Sequence, residues 1–260
     1  MRRFVERVAH RCVRSAKRMF RLLGYDIVKI RPVTAADAFP ADFTREEIDD
    51  IVAVGPYTLT SFERMVSLTR AVGYVVDHNI PGDFVECGVW KGGSVMLMAR
   101  ALRRRNEGRR EIHVFDTFEG MTEPTSHDVS YDGEVASETY VRVNDRLIAI
   151  GLEEVKKNVL SVGYDPEKIH FVKGKVEETI PRYAPQRIAL LRLDTDWYES
   201  TKHELHHLFP RLSPGGVVII DDYGHWSGAR RAVDEYIRDH RISILLTRID
   251  YTGRIGVKIT

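Results

Sequence analysis

Apolar and polar positions follow two periods along this chain, and the changes from one to the other mark its elements. Short apolar runs recur at Phe84-Val85, Glu111 to Phe115, Ile169 to Val172, Ile188 to Leu193 and Val217 to Ile220. Runs of that length suit strands buried on both faces of a parallel sheet. Between them, apolar residues fall at helical spacing. Such stretches run onward from Thr44, from Phe62 to His78, from Val95 onward, from about Tyr140 to Val162 with a break near Gly151, through Leu208, and onward from Ser227. Strands alternating with helices predict an α/β fold around a parallel sheet. At the end, Ile242 to Ile249 and Arg254 to Ile259 flank Asp250-Tyr251-Thr252-Gly253. Two strands around a short glycine turn predict an antiparallel hairpin.

Local signals sharpen the boundaries. Thr44-Arg45-Glu46-Glu47 has capping-box character, and Pro56 to Ser61 is a second helix start. Ser94 is placed to cap the run Val95 to Ala99, and Pro181 to end a short helix begun by Glu177, Glu178 and Thr179. Leu212-Ser213-Pro214-Gly215-Gly216 reads as a turn into the strand Val217 to Ile220. Residues 32–45 hold Pro32, Pro40 and several alanines, a linker composition. The chain is therefore divided into 1–45, an arm and linker, and 46–260, the main domain.

The arm differs in charge from the rest. In residues 1–31 ten Lys and Arg face only Glu6 and Asp26, with Phe4, Val5, Val8, Met19, Phe20, Leu22 and Leu23 interleaved. That pattern predicts a basic amphipathic helix ending near Gly24. It has three competing placements: packed on the domain or a sister subunit of a homo-oligomer, free in solution, or peripheral on an anionic membrane. Over the whole chain the formal net charge is only +1, which argues against a general nucleic-acid binder. Cys12 and Cys87 are too few for a disulfide framework. Cys87 lies in an apolar strand, the expectation for a buried thiol in a reducing, cytoplasmic setting. No run of about 18 apolar residues or secretory signal core is present.

The candidate chemistry sits where strands end. Gly82-Asp83-Phe84-Val85-Glu86-Cys87-Gly88-Val89-Trp90-Lys91-Gly92-Gly93-Ser94 reads as strand, tight turn and helix start, a ligand cradle. Asp116 ends the next strand, 30 residues after Glu86, where an acid takes ribose hydroxyls; Thr117 follows it. Lys175 and Val176 follow the third strand, where an adenine would lie. Thr58, Thr60 and Ser61 are placed to reach a ligand's polar end. The polar stretch from Thr122 to Glu138 is long for a connector and reads as a lid or substrate loop. Asp194 ends one central strand, and Asp221 and Asp222 end the next, with Asp196 a fourth acid. Carboxylates that close repel unless a cation sits among them, and an oxygen-only set points to Mg²⁺ or a similar ion. His225 follows, as a surface residue or a catalyst.

These stretches together resemble the macrocin O-methyltransferase family, over about residues 50 to 240. The matching motifs are Pro56-Tyr57-Thr58, residues 82–94, Phe115 to Met121, Leu191 to Thr201, and Leu212 through Tyr223. The resemblance implies a class I methyltransferase, Rossmann-like seven-stranded sheet with its last strand antiparallel. It implies transfer of a methyl from S-adenosylmethionine to a sugar hydroxyl of a glycosylated natural product or glycan, with Mg²⁺. Glu86, Gly88 and Ser94 would then line the cofactor's methionine end, with Thr58 and Ser61 near its carboxylate. Asp116 would hold its ribose, Thr117 would also contact the cofactor, Lys175 would lie by the adenine, and Asp194, Asp221 and Asp222 would hold the metal. Asp194 also contacts the cofactor in this reading and is the expected general base. Thr195 stands where the family often has glycine, which reshapes the acceptor pocket. A catechol-like phenol is the alternative acceptor. A nicotinamide oxidoreductase is remoter, because Gly88-Val89-Trp90-Lys91-Gly92 lacks the Gly-x-Gly-x-x-Gly spacing. Remoter too is a non-catalytic membrane- or glycan-associated binding module.

Overall fold

The computed structural model describes residues 39–138 and 149–259. The basic helix expected in residues 1–31 lies outside the described residues, as does the expected helical stretch from Tyr140 to 148. The chain divides at Thr44, and every described strand lies in the unit Thr44–Thr260.

In chain order the second unit opens with α1 (Arg45–Val54), whose capping box forms as expected. Thr44 Oγ1 accepts from the Glu47 N–H at 3.2 Å, and the Glu47 carboxylate accepts from the Thr44 N–H at 2.8 Å. Next come α2 (Phe62–Asp77), β1 (Asp83–Cys87), α3 (Gly93–Arg104), β2 (Ile112–Asp116) and α4 (Leu152–Leu160). Then β3 (Ile169–Lys173), α5 (Val176–Tyr183), β4 (Ile188–Leu193), α6 (Tyr198–Leu208) and β5 (Leu212–Ile220) follow. The unit closes with α7 (Ser227–Asp239), β6 (Thr247–Arg248) and β7 (Arg254–Val257).

These strands form one sheet in the order β3-β2-β1-β4-β5-β7-β6. The first five are parallel, and β7 pairs antiparallel with both β5 and β6. The expected seven-stranded sheet with an antiparallel last strand is therefore what the chain builds. One face packs Val85, Cys87, Phe115, Leu191 and Val218 against Val176 and Ile180 of α5, Leu205 and Leu208 of α6, and Val233 of α7. The opposite face, which carries Glu86 and Arg192, looks toward α2, on which α3 packs. All of β4 is buried, so a charged side chain there must find a buried partner.

Several boundaries differ from the sequence reading. β5 starts at Leu212, so Ser213 to Gly216 belong to the strand; a register shift between Ile188 and Leu190 absorbs their irregular backbone. Pro181 lies inside α5, which runs on to Tyr183. Burial of Val176, Thr179 and Ile180 outweighs the single helix bond that proline removes. β6 is only two residues long. Ile242, Ile244 and Leu246 keep a period of two and pack partly buried on the core, but without strand pairing. Ser94 is not the cap of α3: Gly92 takes that position at φ +88°, and Ser94 sits buried in the first turn. No described helix is long and apolar enough to cross a membrane.

Candidate active site

The sheet's strand order reverses between β1 and β4, and a crevice opens at the carboxyl ends there. Ladder bonds continue one residue past the strands and fix what stands at their tips. Gly88 N–H donates to Phe115 O, Asp194 N–H to Cys87 O, and Asp221 N–H to Leu193 O, each at 2.9 Å. Gly88, Asp194 and Asp221 are thereby set side by side. Gly88 has φ +79°, and a Cβ there would lie 1.9 Å from the Asp194 carbonyl oxygen. Only glycine permits that approach.

The crevice holds a cavity of about 400 Å³, within the range of small-molecule sites. Of the residues expected to bind a cofactor, Thr58, Glu86, Gly88, Ser94, Asp116, Thr117 and Asp194 line it, and so do Asp196, Asp221, Asp222 and His225. Ser61 and Lys175 do not. The Ser61 hydroxyl accepts the Arg64 N–H as the cap of α2 and donates to Asp250 Oδ2 at 2.7 Å. Lys175 precedes α5, and its neighbours Gly174 and Val176 face the cavity instead.

Asp116 holds the turns around it. Its Oδ2 accepts the Val89 N–H at 2.7 Å and its Oδ1 the Phe118 N–H at 2.6 Å. Burial raises its pKa, against those bonds. No helix starts at Thr117; its hydroxyl donates to Gly120 O.

The acids are crowded. Oxygens of Asp194, Asp221 and Asp222 lie within 4.8 Å of one another. Burial, then Asp196 and Asp194, hold the Asp222 carboxyl well above the usual range. Burial also raises Asp194 strongly, with Arg192 opposing it. Asp196, held at φ +65°, gives Oδ1 to the Trp226 indole N–H at 3.0 Å, and burial pushes its pKa up to about 6.

The sequence reading placed a cation among these acids; the structure shows two of its own there. Arg192 pairs in register with Glu86 across β1 and β4. Its guanidinium donates to Glu86 Oε1 and to Asp221 Oδ1, the latter at 2.6 Å, and lies 2.8 Å from Asp194 Oδ2. Arg64 of α2 takes the other Asp221 oxygen and lies 2.9 Å from Asp250 Oδ2. Even so, six carboxyl groups line the cavity against two guanidiniums, so the site favours further positive charge. Glu86 Oε2 is buried with no hydrogen-bond partner among the described residues, and burial pushes the Glu86 pKa up to about 7 despite Arg192. Oxygen-only ligands so close fit a hard dication, provided Arg64 yields its hold on Asp221.

Sequence reasoning missed Arg64, Arg192 and Glu204, while Trp197, expected with Thr195 to reshape the acceptor pocket, lines the cavity. Trp197 donates its indole N–H to Thr122 O at 2.8 Å. Glu204 is fully buried and accepts the Thr195 hydroxyl at 2.9 Å. The loop 122–138 is pinned by buried Asp128, which accepts from the Tyr198 N–H at 2.8 Å and from Thr125.

Comparison with known proteins gives consistent matches. The family described as macrocin-O-methyltransferase (TylF) matches residues 6–256, a longer span than the motifs alone suggested. The chain is 38% identical over 197 residues to the 8-demethyl-8-(2,3-dimethoxy-alpha-L-rhamnosyl)-tetracenomycin-C 4'-O-methyltransferase of Streptomyces olivaceus, covering 76% of this chain and 74% of that one. It is 34% identical over 209 residues to the mycinamicin III 3''-O-methyltransferase of Micromonospora griseorubida, covering 80% and 81%. The solved structure of the O-methyltransferase NovP superposes with a TM-score of 0.70 at 33% identity, covering 78% of this chain and 83% of that one.

Proposed function

The chain belongs to the macrocin-O-methyltransferase family and is an S-adenosylmethionine-dependent O-methyltransferase; on that premise we propose that it methylates a sugar hydroxyl of a glycosylated natural product, with Mg²⁺. The observation that carries this reading is the acid-rich cavity at the tips of β1, β4 and β5, with three carboxylates within 4.8 Å of one another. The Streptomyces olivaceus relative, named for a rhamnosyl-bearing acceptor, supports the sugar.

S-adenosylmethionine supplies a methyl on a sulfonium, and a dication supplies charge that lowers an alcohol's pKa and orients it. Asp116 would hold the ribose, with Thr117 beside it. Thr58, Glu86, Gly88 and Ser94 would line the methionine end. Asp194, Asp221 and Asp222 would hold the dication. Arg192 orients Asp194 and Asp221, and these rigidly held strand tips would position the acceptor. Well-oriented reactants are worth roughly 7–11 kcal/mol of barrier.

The acceptor must lose a proton as its oxygen attacks. Asp194 takes it in this reading, and Asp196, on the same cavity wall, is the second carboxylate in reach. A side chain that only positions the metal and one that moves the proton differ in their pH profiles. Asp194→Asn abolishes turnover and leaves S-adenosylhomocysteine binding nearly intact, and unchanged kcat rejects the assignment. The function itself is tested with labelled S-adenosylmethionine on a panel of glycosides and catechols, with Mg²⁺ or with chelator. Label on glycosides only, and only with Mg²⁺, is the expected result. Label on catechols alone, or full transfer in chelator, refutes it.

A further inference from the structure

At the rim of the cavity, three aromatic rings meet. Tyr131 of the pinned loop lies 5.6 Å from His225 and 5.9 Å from Tyr251, centroid to centroid, and His225 and Tyr251 are 6.0 Å apart. His225 and Tyr251 also line the cavity. Yet Tyr131 is 64% and Tyr251 55% exposed, so large ring faces are left to water beside the opening. Exposed apolar surface continuous with a ligand cavity marks a recognition surface.

We propose that Tyr131, Tyr251 and His225 form a shelf that stacks on the second ring of the acceptor, the ring to which the methylated sugar is glycosidically joined. This rests on the sugar-hydroxyl reading above. The chemistry divides along the cavity. Carboxylates at the strand tips suit hydroxyl groups and cations, and the aromatic rim suits an apolar ring face. Trp226 joins the two zones: its indole N–H holds Asp196, and its ring packs 4.7 Å from His225.

The shelf is held in place before any ligand arrives. Ser130 bridges to Trp226, and the Ser227 hydroxyl donates to His127 O at 2.8 Å. On the other side, Asp250 Oδ1 accepts the Thr252 N–H at 2.9 Å and the Gly253 N–H at 2.6 Å. Gly224 N–H donates to Thr252 O at 2.8 Å, and a Cβ at Gly224 would lie 1.9 Å from Tyr251 O. Rings presented on fixed backbones lose little freedom on binding.

The test compares methyl and p-nitrophenyl glycosides of the same sugar, which differ only in whether a second ring is present. The readout is the ratio of kcat/KM for the p-nitrophenyl over the methyl compound, together with calorimetric binding of each to the enzyme loaded with S-adenosylhomocysteine. In the native protein the ratio is about ten. Tyr131→Ala and Tyr251→Ala bring it toward one and weaken p-nitrophenyl glycoside binding in proportion, while Tyr131→Phe keeps the native ratio. Equal ratios in the native protein and Tyr131→Ala overturn the shelf alone. Methyl transfer to no glycoside at all by the native protein overturns the sugar reading beneath it.

Discussion

Replacing Arg192 by Met probes the network on which the site is built. The methionine keeps most of the aliphatic stem and removes the guanidinium. Arg192 is 3% exposed, and its partners Glu86 and Asp221 are 1% and 3% exposed. Water therefore cannot replace the lost cation. Removing one side of a buried ion pair costs roughly 3–5 kcal/mol, because the remaining charge stays uncompensated. At about 2–4 °C per kcal/mol for chains of this size, the expected fall in Tm is about 6–20 °C. The loss also depends on pH. Glu86 titrates at about 7 even with Arg192 beside it, and without it the carboxyl holds its proton more tightly. Below about pH 5 that proton is bound, so the share of the deficit that Glu86 contributes vanishes and the variant comes closer to the native protein. As pH rises through the folded pKa, the deficit grows. The assay is thermal and urea unfolding of both proteins at pH 5 and pH 8, in chelator. A deficit under about 1 kcal/mol at pH 8, or one equal at both pH values, refutes a charge-bearing role for Arg192.

The other predictions are simpler. In the native protein, Glu86 has its pKa raised from 4.5 to about 7, so its contribution to stability is lost as pH rises between those values. The loss is roughly 3 kcal/mol; urea titrations of native and Glu86→Gln in chelator should diverge across that window, and parallel curves refute it. Asp116→Asn weakens S-adenosylhomocysteine binding about 10- to 100-fold, as expected for a charged hydrogen bond, read by calorimetry; unchanged affinity removes Asp116 from the ribose. Gly88→Ala forces a Cβ against the Asp194 carbonyl at φ +79°, and should lower Tm and cofactor affinity together. A variant with native values for both would show that the crevice is not closed by that contact.

Much of this was legible in sequence because it is local. The strand, glycine turn and helix at residues 83–104 announce themselves through short-range pattern, as do the acids at the ends of β2, β4 and β5. Thr44 and Glu47 form their capping box because both partners lie within one turn. The charge balance of the site was not local. Arg64 reaches Asp221 across 157 positions of chain, and no neighbouring residue signals that contact. Arg192 did carry a signal: an arginine inside the apolar run Ile188 to Leu193 requires a buried acid, and Glu86, in register on β1, is that acid. Ser61 caps α2 and bonds Asp250, a role that sequence does not separate from ligand binding because capping and ligand-binding serines look alike. The loop 122–138 read as a lid or substrate loop, and Thr122 and Ala136 do line the cavity; its anchor at the Tyr198 N–H was not legible because polar stretches give no hint of so distant a partner.

The central claim is that this cavity methylates a sugar oxygen beside a dication held by Asp194, Asp221 and Asp222. Tandem mass spectrometry of the product formed from a glycoside with S-adenosylmethionine and Mg²⁺ tests it most directly. The account predicts one added methyl on the sugar fragment, lost when chelator replaces the metal. A methyl on the aglycone fragment, or the same yield in chelator, contradicts it.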